Sequence, residues 1–132
     1  MAYLNPLYIT DEQAKDIYTR ETVNVANIVT LVDLAVEAFV QSKGVSVDDI
    51  PVDGSGYAIS YVVIQYARYH MYIELLDAYR GSSHGDIDDI YQDKSEEYQE
   101  KLTKVEADAT VDAILSNTDL PRTAFIGSVV LN

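Results

Sequence analysis

The chain has 132 residues, nine basic against 22 acidic side chains for a formal net charge of -13, and no cysteine. That length fits one domain around one hydrophobic core, and the missing cysteines exclude disulfides, thiolate nucleophiles and cysteine-ligated zinc together. A field this negative repels a phosphate backbone unless the bases cluster, and they are spread from Lys15, Arg20 and Lys43 through Arg68, Arg80 and Lys94 to Lys101, Lys104 and Arg122, so tight nucleic-acid binding is not expected.

The N-terminal segment MAYLNPLYITDE has no basic stretch followed by a hydrophobic one, so no secretory signal is expected. Thr10 with Gln13 in TDEQ reads as a capping box, with acids in the first turn where the helix dipole favours them, opening a short helix over about residues 11–20. A second helix follows over about residues 22–43, with Val25, Ile28, Val29, Val32, Val36, Phe39 and Val40 at helical spacing and Gly44 placed to end it. Its valines are poor helix formers, so burial must hold it. The apolar stretch from Ile28 to Val40 is broken by Thr30, Asp33 and Glu37 and falls short of the roughly 20 residues that cross a bilayer. A soluble protein made in the cytoplasm, with no membrane partner, is the expectation.

VSVDDIPVDGSG is a turn-rich connection. A third helix is expected over about residues 57–79, with Ile59, Val62, Val63, Tyr66, Ile73 and Leu76 facing inward, five tyrosines broadening the stripe and Gly81 as its stop. A helix apolar over so much of its circumference is central. After the loop GSSHGD, a fourth helix over about residues 87–107 carries Ile90, Tyr91, Tyr98, Leu102 and Val105 on one side and a charged face of Asp93, Glu96, Glu97, Glu100, Lys101 and Lys104 on the other. Thr110 caps one further short helix. The ending TAFIGSVVLN is β-branched, nearly uncharged and roughly alternating, and reads as a strand. The expected fold is therefore mainly α: a small bundle of about four to five helices with a C-terminal β-strand or extended arm. It forms one domain, with residues 1–9 and 121–132 of the chain as extended arms.

Candidate chemistry is sparse. His70 and His84 sit in a helix and a loop with no paired-ligand spacing. Asp86, Asp88, Asp89 and Glu97 miss the calcium-loop pattern, which needs an oxygen ligand where Ile90 sits and a glycine where Tyr91 sits. Asp48, Asp49 and Asp53 flank Ile50 and Pro51 in a turn, where aspartate bonds its own backbone. Gly54-Ser55-Gly56 lacks the lysine and threonine of a phosphate loop and the third glycine of a dinucleotide fingerprint. No nucleophile elbow is present, and no spacing supports a hydrolase built on paired carboxylates. The expectation is no catalytic residue, no cofactor and no metal. The 11 tyrosines, against two phenylalanines and no tryptophan, suit half-buried seams and interfaces.

One set of segments, taken in order, carries a resemblance. A short N-terminal helix precedes a helix of small apolar residues. Then come the proline-bearing loop DDIPVDGSGY, the helix YVVIQYARYHMYIEL, an acidic turn, IYQDKSEEYQEKL with Tyr91, Lys94 and Tyr98, and the ending RTAFIGSVVLN. This order, from about residue 10 to the end, is similar to that of the small head-to-tail adaptor (connector, neck-ring) proteins of tailed bacteriophages, including those of Mu-like phages. The long valine-rich second helix and the heavy acidic bias depart from that family's pattern. The resemblance implies a structural virion protein in the neck between head and tail, assembled as a homo-oligomeric ring of about twelve copies. Such a ring docks under the portal protein, extends the DNA channel and meets a downstream neck or tail protein. An acidic lumen, to which Glu96, Glu97 and Glu100 are candidate contributors, would let DNA pass without specific binding.

The arms are the candidate assembly interface: Tyr3, Leu4, Leu7, Tyr8 and Ile9 at one end, Arg122, Phe125, Ile126, Val129, Val130 and Leu131 at the other. They are apolar, lie outside the expected helical core and offer strand edges to a neighbour or the portal. Pairing of the two arms on one subunit is the competing expectation. A monomeric acidic helical binding module, of the inhibitor or DNA-mimic type, is the alternative that the same charge suits.

Overall fold

The computed structural model describes residues 2–81 and 88–116. These form a small helical bundle of five helices: α1 Glu12–Arg20, α2 Val25–Ser42, α3 Tyr61–Gly81, α4 Asp88–Asp108 and α5 Val111–Ile114, with 3-10 turns at Pro6–Tyr8 and Val47–Asp49. The strand expected over residues 123–132 and the arm 121–132 that holds it lie outside the described residues, as do Arg122, Phe125, Ile126, Val129, Val130, Leu131 and His84.

α3 is the central element, packed against α1, α2, α4 and α5. Val63, Ile64, Tyr66, Ala67, Met71, Tyr72, Ile73, Leu75 and Leu76 are all buried, a distribution around the helix that only a core position satisfies. α2 lies on one side of it through Ile28, Val32, Val36, Phe39 and Val40, and the Phe39 and Tyr66 rings stack at 4.2 Å and 2°. α4 covers the other side with half-buried Tyr91, Tyr98, Leu102 and Val105. Its buried Ser95 donates a 2.7 Å hydrogen bond to Asp77 of α3. Ile90, expected on that inward side, is 60% exposed, because at about 100° per residue it points well round the helix from the face that Tyr91, Tyr98, Leu102 and Val105 turn to α3.

The helix ends follow local chemistry. Gly44 stops α2 at a φ of +87°, and the Val45 N–H bonds the Val40 carbonyl at 2.9 Å, the six-to-one bond of a Schellman turn. α3 begins four residues later than its stripe suggests, and the reason is the preceding turn. Asp53 accepts from the Ser55 and Tyr57 N–H groups at 2.8 and 3.0 Å, Gly56 takes a φ of +88°, and Val52 bridges Ala58 in antiparallel fashion. Residues 57–60 therefore stay outside the helix, and Ser60, fully buried, donates to the Ala113 carbonyl at 3.1 Å to hold α5 in place. Thr110 caps α5 through the Ala113 N–H.

α1 ends on Glu21 at φ 52°, ψ 42°, a left-handed conformation that costs a non-glycine residue roughly 1 kcal/mol. Replacing Glu21 with glycine is expected to raise stability by about 0.5–1 kcal/mol, read as a higher urea midpoint at unchanged slope.

Candidate functional site

The N-terminal arm folds back on its own subunit instead of standing free. Asn5 caps the 3-10 turn through the Leu7 N–H, with Pro6 at its first position, which bends the chain just where an extended arm was expected. Tyr3 donates its N–H to Asp33 at 3.0 Å and its phenol to Glu37 at 2.8 Å, while its carbonyl accepts from the Ala58 N–H at 2.7 Å. Burial, followed by the hydrogen bond and charge of Glu37, pushes the Tyr3 phenol up to about 12. Burial also raises the Asp33 carboxyl, against the opposing bond from the Tyr3 N–H.

Tyr3, Leu4 and Ile9 are accordingly core residues, at 8%, 3% and 3% exposure. Tyr8 is half-buried against that core. Of the five N-terminal residues proposed as an interface, Leu7 alone presents itself to solvent, at 80% exposure. The hydrophobicity that marked this arm as an adhesive edge is spent on the subunit's own helices, and the Tyr3 carbonyl is taken by the N–H of Ala58 in the turn before α3.

Behind the arm lies a polar knot that joins α1, α3 and α4. Asp11, not Thr10, is the N-cap of α1, accepting from the Ala14 N–H at 3.0 Å. Its side chain is 4% exposed and pairs with Lys94 at 2.8 Å. Tyr98 donates to the same oxygen at 2.6 Å, and Lys94 also reaches Gln13. Burial works against the Asp11 charge, but the bonds from Lys94, Tyr98 and Ala14 outweigh it and hold the carboxyl below its ordinary range. Burial and the Asp11 carboxylate together push the Tyr98 phenol well up.

Thr10 has another task. Its N–H donates to the Tyr72 phenol oxygen at 2.9 Å, as does that of Asp11 at 3.2 Å, and Tyr72 in turn donates to the Tyr8 carbonyl at 3.1 Å. Arg68 donates to the same phenol at 3.0 Å and to the Thr10 hydroxyl at 2.6 Å. Burial opposes ionisation of Tyr72, yet the bonds from Thr10 and Arg68 leave its phenol below the ordinary value. Tyr69 and Tyr98 stack at 5.8 Å beside it, with the Lys101 ammonium 5.6 Å from the Tyr98 ring centre.

The spacing of Tyr91, Lys94 and Tyr98 thus has a packing cause: Tyr91 stacks on Tyr79 at 5.3 Å, and the other two close on Asp11. His70 lies 3.8 Å from Glu74 and tilts against Tyr66. Among the described residues, no three histidine, aspartate or glutamate side chains come together as a metal site. An open groove of about 330 Å³ between α3 and α4, with Tyr61, Val62, Tyr69, Lys101 and Val105 among its walls, adjoins the knot. The acids Asp93, Glu96, Glu97 and Glu100 are all exposed on the far side of α4, as its amphipathic pattern required. No family model, curated protein or solved structure matches the chain.

Proposed function

We propose that the chain is a structural subunit of a head-to-tail adaptor ring in a tailed-phage neck, docking under the portal and extending the DNA channel toward the tail. The observation that carries this reading is the order of segments: a short helix, a small-residue helix, a proline-bearing turn, a tyrosine-rich central helix and an acidic helix with Tyr91, Lys94 and Tyr98, ending in an apolar segment. The outward acids of α4 support it, since carboxylates facing a lumen repel the DNA backbone and leave it no adhesive contact.

With Tyr3, Leu4 and Ile9 committed to the core, the docking role falls to residues 122–132, whose sequence is mostly apolar and uncharged apart from Arg122. Deleting them is expected to leave the helical far-ultraviolet spectrum intact and to abolish incorporation into necks. A truncated chain that still joins necks contradicts the reading. Tight, salt-sensitive capture of a basic host protein by a chain absent from particles would favour the acidic binding module instead.

A further inference from the structure

The outer face of α2 differs from the rest of the surface. Opposite its buried positions stand Asn27, Thr30, Leu31, Leu34, Ala38 and Gln41, all exposed and repeating at helical spacing. None is charged. Leu34 is 58% exposed and Leu31 42%. The only charged residues in α2, Asp33 and Glu37, stand beside this strip, where both accept hydrogen bonds from Tyr3. α2 has the length and apolar composition that could cross a membrane, yet only 28% of it is buried in the bundle. An amphipathic helix normally turns charge outward, as α4 does. α2 turns out leucine, and in a chain of net charge -13 that leaves a neutral window.

We propose that this face, centred on Leu31 and Leu34, receives a second copy of the chain. Two copies repel each other wherever exposed carboxylates meet within about 8 Å, the screening length in physiological salt. Contact through the α4 face would set Asp93, Glu96, Glu97 and Glu100 against a like-charged partner. The α2 strip lets copies meet with apolar burial at the centre and uncharged amides and a hydroxyl around it, while Asp33 and Glu37 stay beside the contact, each already accepting a hydrogen bond from Tyr3. A lipid surface fits less well, because Asp33 and Glu37 flank the strip and would be carried toward hydrocarbon. The inference deepens the adaptor reading by naming the copy-to-copy surface, and rests on it only for closure into a ring.

The test is sedimentation equilibrium of the full chain over a concentration series, at physiological and at raised salt. The wild type is expected to exceed the 14.7 kDa monomer mass increasingly with concentration, and more so at raised salt, where charge repulsion is screened. Leu34→Glu or Leu31→Glu should weaken association on the order of tenfold or more, with unchanged far-ultraviolet spectra. Ile90→Glu, at an equally exposed apolar position on α4, should associate like the wild type. A wild type monomeric throughout overturns the proposal. So does Leu34→Glu associating normally, or flotation of wild type but not Leu34→Glu with phosphatidylcholine vesicles. Normal association of Leu34→Glu alongside a neck defect on deleting residues 122–132 would remove this surface and leave the adaptor reading. Leucine-dependent association in a chain that never joins a neck would do the reverse.

Discussion

Replacing Asp11 with alanine is expected to cost about 3 kcal/mol of stability, because one carboxylate serves as helix cap, ion-pair partner and phenol acceptor at once. At this chain length that corresponds to a fall of roughly 10 °C in melting temperature. Asp11 is 4% exposed and Lys94 30%, so removing the carboxylate leaves a largely desolvated ammonium with only a neutral amide, that of Gln13, to bond, and takes the acceptor from the Tyr98 hydroxyl. Asp11→Asn keeps the cap and an acceptor for Tyr98 but loses the charge, and should fall between alanine and wild type. The sign of the pH dependence follows from the depressed carboxyl: its contribution is complete above the unfolded value near 4 and is lost as pH falls through the lower folded value. In Asp11→Ala that segment of the acid limb should flatten. Urea unfolding at neutral and acid pH measures both effects, and a neutral-pH loss below about 1 kcal/mol would mean that the pair behaves as a solvated one.

Tyr72→Phe is the second large effect, expected at about 2–3 kcal/mol, since deleting one oxygen leaves the Tyr8 carbonyl and the Thr10 and Asp11 N–H groups without their buried partner. The ring itself stays, along with its packing 4.7 Å from Tyr98, so the loss reports the hydroxyl alone. Its signature is local. Hydrogen exchange should accelerate at the amides of Thr10 and Asp11 while those in the middle of α3 follow only the global change. A uniform change, with no added exposure at residues 10 and 11, would place the anchor of the N-terminal segment elsewhere.

Much of this architecture could be read from residue spacing. The apolar positions of α2, Val32, Val36, Phe39 and Val40, recur at a helical period that burial alone explains, and the tyrosine-laden α3 could only be central. Gly44 and Thr110 marked a stop and a start because the backbone conformation and the orphan N–H each demand that residue type. What spacing could not show was which surface the short segments take. Tyr3, Leu4 and Ile9 have the composition of an adhesive edge, and the same composition suits a strap over α2. The choice is made by Asp33, Glu37 and the Ala58 N–H, residues 30 to 55 positions from Tyr3 whose convergence has no local signal. Thr10 looked like the cap because Gln13 follows at the right interval, yet Asp11 takes that role once Lys94 and Tyr98 approach from α4. Leu31 and Leu34 carry no signal of their own in the sequence, since in a valine-rich helix an outward leucine is indistinguishable from an inward one until α3 is in place.

Native mass spectrometry of the chain mixed with the portal protein encoded nearest to it tests the adaptor assignment most directly. The expected spectrum shows a closed ring of the chain, of about twelve copies, bound to each portal ring. A chain that remains a 14.7 kDa monomer at every mixing ratio, beside an intact portal, contradicts it.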